Sequence, residues 1–211
     1  MDNLFLSVLD KKRNDLFNKL GFLKDYGFYL AGGTSLALQI GHRTSLDFDF
    51  YTKKKIEPQM LRGEFDKRFK KVREIHVAEG TLVLDIGGIE LSFFKYPYKL
   101  IKPCAKLENV DLASLEDIAA MKIIAISQRG IRRDFIDIYF LIQIFGLKKI
   151  IDLTMKKYSM FNTYVGLQGL SYFKDADEDL EVQRIKLHKK ISWEKIKKYI
   201  IKEVNEVRHQ L

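Results

Sequence analysis

With 211 residues, 46 % hydrophobic content and only three prolines, the chain carries enough apolar material to bury a sizeable core, which excludes disorder. Its net charge of +9 favours a polyanionic partner such as RNA or a nucleotide over an acidic protein surface. The single cysteine, Cys104, excludes an internal disulfide framework and a thiolate zinc cluster, so a reducing, cytoplasmic setting is expected. The apolar patch Leu4 to Leu9 lacks a basic lead and runs into Asp10-Lys11-Lys12-Arg13, unlike a secretion signal. No uncharged apolar run reaches membrane-span length, since even Phe135 to Phe145 contains Asp137, so no membrane partner is expected.

Taken in chain order, Asp10 to Tyr26 places Leu16, Leu20 and Leu23 at helical spacing and ends at Gly27. Phe28 to Ala31 is a short apolar strand that stops at Gly32-Gly33, and Thr34 to Ile40 has helical composition closed by Gly41. Leu46 to Tyr51 alternates, putting Leu46, Phe48 and Phe50 on one face and Asp47, Asp49 and Tyr51 on the other. Glu57 to Lys71 predicts a charged surface helix. Strands follow at Val72 to Val77, Thr81 to Ile86 and Ile89 to Tyr96, with Gly87-Gly88 as a hairpin turn. From Ser114 the pattern becomes helical: Ser114 to Gln128, Arg132 to Phe145, and three more helices before Leu211. The joint is Pro97 to Leu112, which divides the chain into a core of residues 1–105 and a helical unit of residues 106–211.

The chemistry concentrates between Leu30 and Phe50. A glycine pair at a strand end lets backbone N–H groups approach a ligand, and the helix that follows adds its own free N–H groups, a combination suited to phosphate. Thr34 is placed to cap that helix or to donate its hydroxyl to a phosphate oxygen. The period of two aims Asp47 and Asp49 to one side of a strand, within reach of a shared hard cation such as Mg2+ or Mn2+. Each element alone has a plain structural explanation, as a turn or a solvated strand face. Their conjunction is what points to a nucleotide site.

The string Gly-Gly-Thr, a short helix, then Gly41-His-Arg-Thr-Ser-Leu-Asp-Phe-Asp-Phe50 resembles the nucleotidyltransferase toxins of the AbiEii/AbiGii family, within the DNA-polymerase-β-like superfamily. The stretches Leu112 to Gly130, Arg132 to Tyr139, Tyr172 to Asp177 and Ile191 to Glu194 extend the resemblance over most of the chain. It implies an α/β (α+β) fold, a minimal nucleotidyltransferase mixed sheet with helices followed by a helical C-terminal subdomain. It also implies transfer of a nucleoside monophosphate with release of pyrophosphate. Carried onto these residues, Gly32, Gly33 and Thr34 hold phosphates, Asp47 and Asp49 hold the metal, and Lys122 pairs with the triphosphate. Arg129 belongs to the same helical motif and is a further nucleotide contact. Lys122 sits among Ile118, Met121, Ala125 and Ile126, where a polyanion would offset the cost of burying an ammonium; the alternative is a snorkelling surface lysine. In the family, an aspartate placed like Asp134 or Asp137 serves as a base or organiser. The alternative is that Arg129, Arg132 and Arg133 pair with these aspartates only to fix helix packing.

The pattern departs from the superfamily at the third carboxylate, where Ser92 stands at the aligned position. Glu90, on the same strand face, is the candidate substitute, and Asp85 is a poorer one. The leading expectation is therefore an NTP- and metal-dependent nucleotidyltransferase of toxin type that acts on an RNA or a protein acceptor. A separately encoded antitoxin would control it. The rivals are a catalytically degenerate nucleotide- or RNA-binding protein on the same fold and a scaffold that retains the fold only.

Overall fold

A computed structural model describes residues 4–107 and 109–210. Its elements are helix α1 (Lys11–Phe17), strand β1 (Tyr29–Ala31), α2 (Gly32–Ile40), β2 (Phe48–Thr52), α3 (Pro58–Arg68), β3 (Val72–Ala78), β4 (Thr81–Ile86), β5 (Glu90–Lys95), α4 (Leu115–Gln128), α5 (Arg132–Phe145), α6 (Leu147–Lys157), α7 (Thr163–Leu170), α8 (Lys174–Glu178) and α9 (Trp193–Arg208). The strands form one mixed sheet in the order β1-β2-β5-β4-β3, in which only β2 and β5 run parallel. This is the α+β architecture expected, with a mixed sheet first and helices after it.

Period-two alternation decides the two faces of the sheet. Phe48, Phe50, Leu82, Leu84, Leu91 and Phe93 are fully buried and pack with α1, α3 and the far side of α2 into one core cluster. The opposite face carries Tyr29, Ala31, Asp49, Tyr51 and Ser92, and α4 and α5 close over part of it through a second cluster centred on Ile118, Ile123, Phe135 and Ile138. Asp49 therefore looks toward the helical half because Phe48 and Phe50 anchor the strand on the other side.

Three local expectations change. The helix predicted over Asp10 to Tyr26 is broken: α1 stops at Phe17, and a 3-10 turn covers Gly21–Lys24. Leu16, Leu20 and Leu23 are buried all the same, so apolar spacing identified the inward face while Gly21 and the tight i→i+3 bonds at Lys19 and Leu20 interrupted the helix. The hydrogen-bonded part of β2 begins at Phe48 rather than Leu46, leaving Asp47 on its lip. The expected three further C-terminal helices are four among the described residues, with a 3-10 turn at Leu180–Arg184 besides.

The joint between the halves is woven rather than loose. The Leu30 N–H donates to the Asp111 carbonyl at 2.8 Å and the Ala113 N–H to the Leu30 carbonyl at 2.9 Å, so residues 111–113 lie along the edge of β1. Val110 and Leu112 are buried in the sheet-side cluster, beyond the expected boundary at residue 105. At the other end, Leu187 bridges to Arg43, with the Thr44 N–H donating to the Lys186 carbonyl and the His188 N–H to the His42 carbonyl. Among the described residues, no helix is long and apolar enough to cross a membrane.

Candidate nucleotide and metal site

The site starts at the β1–α2 turn. Ala31 is extended and Gly32 takes φ +65°, a conformation that favours glycine. A Cβ on Gly32 would lie 2.7 Å from Asp49 Oδ2, so the turn can pass the carboxylate only without a side chain. A Cβ on Gly33 would collide with the Arg43 guanidinium. The glycine pair is thus required by the close approach of Asp49 and Arg43. Gly33 lines a cleft of about 160 Å3 together with Asp47, Asp49, Glu90, Lys122, Arg133 and others.

Asp47 and Asp49 meet in that cleft, facing the turn. Among the described residues neither carboxylate has a hydrogen-bond donor or an ion-pair partner. Burial pushes the Asp49 carboxyl up to about 6, while Lys122 and Arg129 pull it down and Asp47 and Glu90 push it further up. Strand pairing sets the third position. Asp49 pairs with Ser92 and Phe48 with Leu91, which brings Glu90 level with Asp47 at the mouth of the cleft. Ser92 is buried opposite Asp49 and brings no charge. Asp85 is occupied in the hairpin, accepting from the Gly88 N–H.

Thr34 takes a different part from either one expected. Its hydroxyl donates to the Asp47 carbonyl and lies 2.7 Å from the Ser45 hydroxyl, while α2 opens after Ala31 with no side-chain cap. It pins the backbone that presents Asp47. Its one hydroxyl proton is engaged there, not held out toward a phosphate.

The wall opposite is a chain of alternating charges. Lys122 Nζ lies 2.7 Å from Asp134 Oδ1 and 2.6 Å from Asp137 Oδ2, and Arg129 Nε donates to Asp134 Oδ2 at 2.9 Å. Arg43 binds Asp137 bidentately, Nε to Oδ1 at 2.7 Å and Nη2 to Oδ2 at 2.9 Å, and His42 Nε2 also reaches Oδ1 at 2.7 Å. Desolvation works against the charge on Asp137, but Arg43 and Lys122 outweigh it and hold the carboxyl well below the usual range. Asp134 is lowered in the same way, with Lys122 and Arg129 overcoming its burial. Burial lowers the His42 pKa despite Asp137, and its Nδ1 is buried without a partner, which fits a neutral ring donating from Nε2.

Lys122 does face the cleft from the helical half, but two aspartates already compensate its charge. Asp137 is fully buried under His42, Arg43 and Lys122 and does not line the cleft, whereas Asp134 does. The ion-pair alternative holds for Arg129 and not for its neighbours. Arg132 turns away to donate to the Ala176 and Asp177 carbonyls, and Arg133 lines the cleft with its Nε buried and unpartnered. Sequence reasoning missed Arg43 and His42 as partners of Asp137 and Arg133 as a cleft residue. The signal available for Arg133 was its place in the first turn of α5, directly after Gly130-Ile131.

A second hollow of about 250 Å3 lies between the sheet and α4, with Asp49, Tyr51, Tyr96, Met121 and Gln128 among its walls. It shares Asp49, Lys122 and Arg129 with the polar cleft. Among the described residues no group of three or more His, Cys, Asp or Glu side chains is assembled to hold a metal ion alone. A cation here would rest on two carboxylates and take its other oxygens from a ligand. Two unpaired carboxylates, one with a raised pKa, fit a hard divalent ion on those terms.

The family profile described as Nucleotidyl transferase AbiEii toxin, Type IV TA system, matches residues 21–101 and 76–206. A protein of Aquifex aeolicus (strain VF5), Uncharacterized protein aq_aa25, is 35% identical over 207 residues, covering 94% of this chain and 97% of that one. A crystal structure of a candidate nucleotidyltransferase from H. pylori superposes with a TM-score of 0.60 at 16% identity, covering 96% of this chain and 97% of that chain. MenT4, nucleotidyltransferase toxin Rv2826c from Mycobacterium tuberculosis H37Rv, gives 0.54 at 12% identity over 90% and 80%. At these identities the two structures speak for the fold.

Proposed function

The chain belongs to the AbiEii nucleotidyl transferase toxin family of type IV toxin–antitoxin systems, and on that footing we propose that it transfers a nucleoside monophosphate from an NTP to an RNA acceptor, releasing pyrophosphate. The observation that carries this reading is the two-sided cleft. Asp47, Asp49 and Glu90 form an anionic edge, and Lys122, Arg129 and Arg133 a cationic one, around a glycine turn with free backbone N–H groups. A triphosphate bound with a divalent cation is complementary to both sides at once.

Asp47 and Asp49 are the residues that would hold Mg2+ or Mn2+, an ion that would supply charge neutralisation at the phosphates and lower the pKa of a hydroxyl bound to it. Gly32 and Gly33 let the phosphates approach the start of α2. Arg133, with its buried unpartnered Nε, and Lys122 at the cleft wall attract the triphosphate oxygens. Asp134 keeps Lys122 and Arg129 in place. Asp137, sealed from the cleft, acts as a positioning residue through Arg43. Glu90, level with Asp47 and exposed, is the group able to reach the acceptor hydroxyl. The net charge of +9 favours RNA as acceptor, and membership of a toxin–antitoxin family favours a separately encoded antitoxin as partner.

A second reading, nucleotide or RNA binding without turnover, draws on Ser92 standing beside Asp49 where an acid is expected. One experiment separates the two. The protein is incubated with each labelled NTP, Mg2+ or Mn2+ and total RNA, alongside Glu90→Gln and Ser92→Asp. Label on RNA that Glu90→Gln removes while calorimetric NTP binding persists supports the transferase. No transfer by the wild type, with transfer gained by Ser92→Asp, supports the binding protein.

A further inference from the structure

An open groove of about 800 Å3 lies outside the site just described, between the end of α4, α7 and the last turn of α9. Its floor is made by close packing: a Cβ on Gly169 would lie 3.1 Å from Ser127 Cα, so α7 rests almost directly on the backbone of α4. Its walls present Tyr164, 72% exposed, and Tyr172, 50% exposed, with Val165 between them at 56%. Neither tyrosine ring stacks on another ring among the described residues. Arg208 and Arg129 stand in the same walls, with Gln128, Gln168 and one acid, Asp175. Gln128 and Arg129 are also walls of the aromatic hollow, which in turn shares Asp49 with the polar cleft. Groove, hollow and cleft thus adjoin in that order through shared wall residues, as a track of neighbouring hollows toward the carboxylates.

We propose that this track is the binding site for a single-stranded end of the RNA acceptor, with bases stacked on Tyr164 and Tyr172, backbone phosphates at Arg208 and Arg129, and the terminal nucleotide in the hollow beside Asp49. The proposal rests on the transferase reading above and adds to it where the acceptor lies and in what form it is taken. Exposed, unpaired aromatic faces flanked by arginines are the arrangement that holds single strands with little sequence preference. A duplex offers its bases no such stacking, because they already stack on one another. Among the described residues lining the groove, the charged ones are Arg129, Arg208 and one acid, Asp175, a net positive wall suited to a phosphate backbone.

The test uses the full chain and a short fluorescein-labelled single-stranded oligoribonucleotide, followed by anisotropy without NTP. Tyr164→Ala and Tyr172→Ala each weaken binding about tenfold, and Tyr164→Phe, which keeps the stacking face, stays within about twofold of the wild type. The same sequence as a duplex binds far less tightly. Calorimetric NTP binding is unchanged in all three variants, and in transfer assays the tyrosine-to-alanine variants raise KM for RNA at unchanged kcat. The high exposure of Tyr164 makes its removal harmless to folding, which a thermal melt checks. The proposal is overturned if the alanine variants bind the oligoribonucleotide like the wild type, if the duplex binds equally well, or if transfer goes to a protein acceptor regardless of Tyr164. Should the oligoribonucleotide respond as described while the wild type transfers nothing, the groove stands and the transferase reading falls. Should transfer to RNA proceed untouched by either tyrosine, the reverse follows.

Discussion

Asp49 is the residue on which stability and function oppose one another. Its carboxyl holds a proton up to about pH 6 in the folded state and only to about pH 4 when unfolded. The folded state therefore binds more protons across that window, and stability falls as pH rises through it and stays reduced above. The difference amounts to about 2–3 kcal/mol at neutral pH. Asn reproduces the protonated form. Asp49→Asn is expected to raise the unfolding free energy at pH 7 by about that amount, to flatten its slope between about pH 4 and 6, and to abolish nucleotide transfer. Denaturant titrations at several pH values check the first two outcomes. An Asp49→Asn protein no more stable than the wild type at pH 7 would show that the carboxylate is not held at a cost.

At the scale of elements, α5 is fastened to the α2–β2 loop by charge as well as by packing. Asp137 receives Arg43, His42 and Lys122 in a space closed to solvent, and Arg43 can reach it because Gly33 leaves room. Removing the carboxylate strands a buried guanidinium, so Asp137→Ala is expected to cost about 3–5 kcal/mol in denaturant unfolding. The pH dependence runs opposite to that of Asp49. The depressed pKa of Asp137 means its contribution is fully present above the ordinary aspartate range and is lost as pH falls through its lowered folded value. Asp137 therefore contributes to the acid limb of the wild type, and Asp137→Ala is expected to show a shallower one.

For the molecule as a whole, the question is what keeps the two halves in register around the cleft. The short bridge between residues 42–44 and 186–188 ties the segment before α9 to the loop that carries Arg43. The His188 N–H donates to the His42 carbonyl at 2.9 Å, and the His188 ring nitrogen Nδ1 lies 3.0 Å from the Gly41 carbonyl. His188→Pro removes both and leaves the core untouched. It is expected to speed amide exchange at Thr44 about tenfold, as the loss of one or two hydrogen bonds implies, while amides inside α4 and α5 stay protected. Unchanged exchange at Thr44 would mean the loop is held without the His188 contacts.

Much of this protein is local enough to be legible in its sequence. Alternation from Leu46 to Tyr51 assigned Phe48 and Phe50 to the core and Asp47 and Asp49 to the cleft, because a pleated strand has no other way to separate apolar from charged neighbours. Gly87-Gly88 gave the hairpin and Arg132 to Phe145 the fifth helix for equally local reasons. The glycine pair was read as room for a phosphate, and what the structure brings against it are the Asp49 carboxylate and the Arg43 guanidinium. Tertiary structure alone decided which charges meet. Asp137 takes Arg43 from 94 residues away, and Lys122, expected to await a polyanion, is already paired. Arg133, one residue from Asp134 in sequence, is left unpartnered in the cleft. Helical spacing says which side chains share a face of α4 or α5, but the loop brought against that face depends on how two core clusters pack around β1. No period in the sequence encodes that packing.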